Sequence, residues 1–112
     1  MDELIARITA ATGIDQDMAQ KAVGLMLGFL KQEGPDGSAD DLVNAIPGAS
    51  DAMEEPSGGG VMGLGGQLMG MGLGMGEITS VAKETIGYAK EKIGEDKVDE
   101  VVNAIPGLSQ FV

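Results

Sequence analysis

The pentapeptide Asn-Ala-Ile-Pro-Gly occurs twice in this chain, starting at Asn44 and at Asn103, and this repeat constrains the fold more than any other feature. A shift of 59 positions aligns the two copies, and upstream of them it also aligns Gly28 with Gly87, each followed by an aromatic residue. From 14 to 48, nine of 35 aligned positions are identical. Because Pro-Gly ends a helix, the sequence predicts two related helical units, each closed by the same stop.

Apolar residues recur at helical spacing in both units, which predicts long helices over Gln16–Glu33 and Glu77–Ile93. The first is nearly apolar all round after its opening turn, so it should be buried centrally. Ser38 and Asp96 are candidate caps of shorter helices that follow. We therefore expect an all-α fold, a small bundle of five or six helices made of two pseudo-symmetric helical repeats.

The expected organisation is a single domain over 1–112. The first repeat covers 1–48 and the second covers 61–112, with a flexible acidic and Gly-rich linker over 49–60 between them. The chain ends with apolar residues, including Phe111 and Val112, and we expect this end to dock on the bundle.

Gly28 and Gly87 lie in the middle of the two long helices, where Gly is less favourable than Ala by roughly 1 kcal/mol. Their recurrence at equivalent positions suggests a packing role. We predict that the two long helices cross closely at these glycines.

The segment 58–76 contains ten Gly, four Met and no charged residue. We expect a partly helical stretch from Leu64 to Met71 behind a mobile 58–60. The favoured interpretation is a Gly-rich linker running into a core helix. The alternatives are helix pairing through closely spaced small residues, membrane insertion, and Cu(I) binding by thioethers. The candidate interaction segment consists of Gly66, Met69, Gly70, Met71, Gly74 and Met75.

The formal net charge of -11 disfavours nucleic acid and anionic membranes as partners. The chain lacks His and Cys, so most nucleophilic and metal-binding constellations are excluded, and we expect no enzyme, cofactor or metal. The amino terminus begins with acids rather than with the basic start of a secretory signal, which predicts a cytoplasmic protein. A non-enzymatic interaction or structural module is the expected function, binding a second copy or another protein. The alternative is a peripheral membrane or envelope-stress protein that acts through the Gly/Met-rich segment.

The opening Met1-Asp2-Glu3-Leu4-Ile5, the helix with Phe29-Leu30-Lys31, and the carboxyl end from Ile105 resemble a group of small bacterial helical proteins, some of them labelled VcgC/VcgE. The resemblance covers most of the chain. It implies a bacterial helical domain and carries no catalytic residue, cofactor or substrate to this sequence.

Overall fold

The computed structural model describes residues 2–34, 36–55, 60–105 and 107–110, and within these ranges all regular secondary structure is helical. The elements are α1 (Asp2–Thr12), α2 (Gln16–Glu33), α3 (Asp36–Ala45), α4 (Ala49–Ala52), α5 (Gly60–Gly70), α6 (Met75–Ile93), α7 (Glu95–Ala104) and a 3₁₀ helix, η1 (Leu108–Gln110). The all-α prediction is confirmed. The described ranges hold seven α-helices rather than five or six.

The long helix α2 has the bounds that the sequence predicts. Asp15 caps its start, where a carboxylate oxygen accepts the backbone N–H of Met18 at 2.8 Å. Every residue from 22 to 30 is buried, as expected for a helix that is apolar on all sides. α2 packs against α1, α3, α4, α5 and α6, and it therefore forms the centre of the bundle.

Three helices begin earlier than the sequence predicts. α6 starts at Met75, α3 starts at Asp36 and α7 starts at Glu95. At α6 the reason is visible, because the carboxylate of Glu77 accepts the N–H of Gly74 at 2.8 Å and satisfies a donor that the helix itself leaves unpaired. In α7, Glu95 and Asp96 both lie in the first turn, where acidic side chains interact favourably with the helix dipole.

The prediction of a flexible linker over 49–60 is wrong for its first residues, and 56–59 lie outside the described residues. The first four residues of this segment form α4, and Ala49 is fully buried. Beyond α4, the N–H of Glu54 donates to the carbonyl oxygen of Gly24 on α2 at 3.0 Å. A sequence of small and acidic residues thus acquires its structure by docking on α2.

The starts of three pairs of elements repeat at the offset found in the sequence. α6, α7 and η1 begin 59 positions after α2, α3 and α4. One ion pair recurs at the same offset, between Lys31 and Asp40 at 3.8 Å and between Lys90 and Asp99 at 3.5 Å. Superposition of the two halves in space stays a prediction.

The predicted close helix crossing is wrong at Gly87, because a Cβ built there meets nothing within 4 Å. Gly28 is buried and borders a surface groove whose other wall is Met53, Glu54 and Glu55. The close approach occurs instead at Gly24, where an added Cβ would overlap the carbonyl oxygen of Ala52. Gly24 of α2 therefore accommodates the backbone at the end of α4 rather than α6.

Leu108 is buried, so the carboxyl-terminal region packs on the bundle at least to η1. Phe111 and Val112, which the docking prediction also names, lie outside the described residues. Among the described helices, none combines the length and the apolar character that crossing a bilayer requires.

Candidate interaction surface

The Gly/Met-rich segment forms a helix over most of its length. α5 covers Gly60–Gly70, so it begins before the predicted start at Leu64. Two fully or nearly fully buried leucines, Leu64 and Leu68, attach it to α2 and α6. Since so many glycines disfavour an isolated helix, this packing is what stabilises the helical conformation. Gly72, with φ of 103°, then makes the turn towards α6.

The outward side of α5 and the start of α6 expose large apolar side chains. Met62 is 83% exposed, Met69 is 52% exposed and Met75 is 56% exposed. Within the described ranges, these are the large hydrophobic residues that remain open to solvent. Gly66 and Gly70 are exposed between them. We call these five residues the methionine surface.

The fold does not require glycine on the outward side of α5. A Cβ built at Gly66 or Gly70 meets no atom within 4 Å, and neither residue has a positive φ. Alanine would therefore fit at each position and would favour the helix by roughly 1 kcal/mol. Internal packing does not explain these glycines, whereas close approach of another backbone would.

α1, whose residues align with α5 in sequence at the offset of 59, carries charged side chains. At the offset of 59, Glu3 and Arg7 of α1 correspond to Met62 and Gly66 of α5. The guanidinium of Arg7 bonds both carboxylate oxygens of Glu91 on α6, at 2.5 and 3.0 Å. This pair raises the pKa of Arg7 and lowers the pKa of Glu91. In contrast, α5 carries no charge at all.

Arg7 also stacks on an aromatic ring. Its guanidinium carbon lies 5.3 Å from the centre of the Tyr88 ring, and the Lys92 ammonium lies 5.1 Å from the same centre. The Arg7–Tyr88 contact and the ion pair to Glu91 connect α1 to α6, whereas the Lys92–Tyr88 contact lies within α6. The cluster therefore has a structural role at the junction of the two halves.

Four of the six residues in the predicted interaction segment belong to the methionine surface: Gly66, Met69, Gly70 and Met75. Met71 is half-buried against the core, and Gly74 is the residue before α6. Met62 is not among the predicted residues, although its spacing of four and seven residues from Gly66 and Met69 places it on the same side of a helix. That periodicity was the available signal.

Acidic side chains lie at the edge of this region. Asp15 and Asp17 line a surface hollow of about 310 Å³ together with Met18, Lys21 and Met71. Glu77 lies at the other edge, where it caps α6 two residues after Met75. The apolar segment is thus bordered by carboxylates on α2 and on α6.

The remaining ion pair with a resolved electrostatic effect connects α7 to α3. The ammonium of Lys97 donates to the carboxylate of Asp41 at 2.9 Å, which raises the pKa of Lys97. Both side chains are about half exposed, so this is a surface contact between helices rather than a reactive site.

Comparison of the chain with protein-family models, with curated proteins and with solved structures finds no match. The resemblance to the VcgC/VcgE-labelled group stays a prediction. The methionine surface, defined from the geometry, is therefore the observation from which a function can be argued.

Proposed function

We propose that this protein is a non-enzymatic interaction module that binds a protein partner through the methionine surface. One observation carries the proposal: in the described ranges, the exposed large hydrophobic side chains, Met62, Met69 and Met75, all belong to one uncharged segment. Apolar side chains grouped in this way gain free energy when another surface removes them from water.

The residue types also support a contact surface. Methionine has an unbranched, polarizable side chain that adapts to differently shaped partners. Gly66 and Gly70 leave space above the α5 backbone into which a partner can approach closely. Glycine at 66 and 70 makes α5 less stable than alanine would, and a function in binding explains why glycine is present at these positions.

The contrast between the two halves supports the same conclusion. We propose that the halves are copies of one helical unit, which the shared offset of element bounds and of the Lys31–Asp40 and Lys90–Asp99 ion pairs favours. In that case α1 uses its outward side for charged contacts, whereas α5 has exchanged charges for Met and Gly. Such a change on only one copy is expected for a surface that has acquired a partner.

The non-enzymatic part of the proposal is supported by the residues that titrate unusually. The pKa shifts of Arg7, Glu91 and Lys97 all arise from ion pairs on the protein surface. The chain has no His and no Cys, so the imidazole base and the thiolate nucleophile that many enzymes use are missing from the sequence.

Oxidative footprinting of methionine tests the proposal. The chain is treated with dilute peroxide as purified protein and in the native cell, and sulfoxide formation at each Met is measured by mass spectrometry. We expect Met62 and Met69 to be protected in the cell relative to Met53, a half-buried methionine after α4. Equal relative rates in both settings would contradict the proposal. Protection of purified protein by anionic vesicles would instead favour the peripheral membrane alternative.

A further inference from the structure

The charge around the methionine surface indicates the charge of the partner that it binds. From residue 32 to residue 82 the chain contains no Lys or Arg, and the same stretch carries eight acidic residues. This stretch supplies α3, α4 and α5 and the start of α6. Asp40 and Asp41 of this stretch pair with Lys31 and Lys97, whereas α5 and the start of α6 carry Glu77 as their one charged side chain before Lys83. The charge that the stretch places next to the methionine surface is therefore negative, and it attracts a cationic partner.

Three acids beside the Gly/Met-rich segment can receive such a partner. In the described part of the chain, the Asp17 carboxylate has no hydrogen bond or ion pair, and it lines the hollow beside Met71. Asp15 bonds a backbone N–H and Glu77 bonds another, so each retains a second carboxylate oxygen. Lys21 also lines the hollow, where one ammonium faces two carboxylates.

A second copy of the chain does not complement this arrangement. Each copy has a formal charge of -11, and the stretch 32–82 offers no cation to pair with the acids of the other copy. Two methionine surfaces in contact would place like charges along the border of the contact, which costs free energy. A partner with basic residues at the border avoids this cost.

We infer that the methionine surface binds an amphipathic helix of another protein, one with an apolar stripe flanked by Lys or Arg. The stripe would cover Met62, Met69 and Met75, and the basic flanks would face Asp15, Asp17 and Glu77. Glycine at 66 and 70 allows the partner helix to lie close to α5. This inference rests on the proposed function and adds the chemical class of the partner.

The test uses a fluorescent synthetic peptide of about 18 residues, composed of Leu at helical spacing and Lys elsewhere, in an anisotropy titration. We expect the unmodified chain to bind it, with an affinity that falls as salt is raised. Met62→Gln/Met69→Gln should weaken binding at least about tenfold without a change in net charge. Ala10→Gln is the matched control, because Ala10 is the exposed residue of α1 that corresponds to Met69, and its affinity should stay unchanged.

Three results would overturn the inference: no binding by the unmodified chain, equal affinity in the double Met variant, or equal binding of a peptide with Glu in place of Lys. Thermal denaturation of the variant confirms that its two exposed substitutions leave the fold intact. Light scattering adds a further outcome, since a dimer that the Met variant dissociates would identify a second copy as the occupant. If Met62 and Met69 are protected in the cell but the chain binds the Lys peptide no better than the Glu peptide, this inference is wrong while the proposed function is still supported.

Discussion

Gly24→Ala should destabilise the protein although alanine favours helix. Gly24 lies in the middle of α2, and a Cβ at this position would overlap the carbonyl oxygen of Ala52 and lie 3.3 Å from its carbonyl carbon. Both atoms belong to backbone, so relief requires that α4 and the residues after it move. That movement would also strain the 3.0 Å hydrogen bond from Glu54 to Gly24.

The magnitude follows from two opposed effects. Replacing a mid-helix Gly by Ala contributes up to about 1 kcal/mol through helix propensity. Overpacking costs typically about 1–3 kcal/mol, and loss of the hydrogen bond costs about 1 kcal/mol more. We therefore expect Gly24→Ala to lower the free energy of unfolding by about 1–3 kcal/mol, equivalent to a fall in thermal midpoint of roughly 4–12 °C.

Gly87→Ala is the matched control. Gly87 also lies inside a long helix, but a Cβ there meets nothing within 4 Å. Its substitution should raise the midpoint by up to about 4 °C, through propensity alone. Circular dichroism at 222 nm measures both variants under one set of conditions. An increase in midpoint for Gly24→Ala would refute the close approach to Ala52, and a decrease for Gly87→Ala would refute the open surface at that residue.

Three further predictions concern other parts of the molecule. Gly66→Ala and Gly70→Ala should each raise the free energy of unfolding, measured in urea, by up to about 1 kcal/mol, because a Cβ at either position meets no other atom. Both substitutions should also weaken binding of the cationic peptide, and unchanged or stronger binding would exclude a close approach of the partner helix. Thr85→Val should raise the free energy of unfolding by about 1 kcal/mol in the same assay, because the fully buried Thr85 hydroxyl has no hydrogen-bond partner among the described residues. A lower free energy of unfolding would show that this hydroxyl does have a partner. Glu91→Gln should lower the thermal midpoint more at pH 7 than at pH 3. Arg7 lowers the pKa of Glu91 in the folded protein, so the Glu91 carboxylate stabilises the fold at pH values above the ordinary carboxyl pKa. This stabilisation is lost as the pH falls through the lowered pKa of Glu91. An equal effect at both pH values would show that the pair does not contribute to stability.

Four of the five residues of the methionine surface could be predicted from the sequence. The absence of charge over 58–76 marked the segment, and Gly66, Met69, Gly70 and Met75 were selected in it. Exposure of a particular side chain depends on which side of α5 faces α2 and α6. Leu64 and Leu68 decide this by packing inward, and the sequence alone does not reveal that Met62 is then the most exposed of the methionines that the structure describes.

Local interactions explain what the sequence determined about this protein. The caps, the helical spacing of apolar residues and the Pro-Gly stops act within a few residues of where they occur, so the all-α class and the bounds of α2 followed directly. The role of each glycine could not be predicted in this way, because a Cβ is excluded only by atoms that folding brings near. Ala52 is 28 positions from Gly24, and only the docking of α4 on α2 made Gly24 a close contact while leaving Gly87 open.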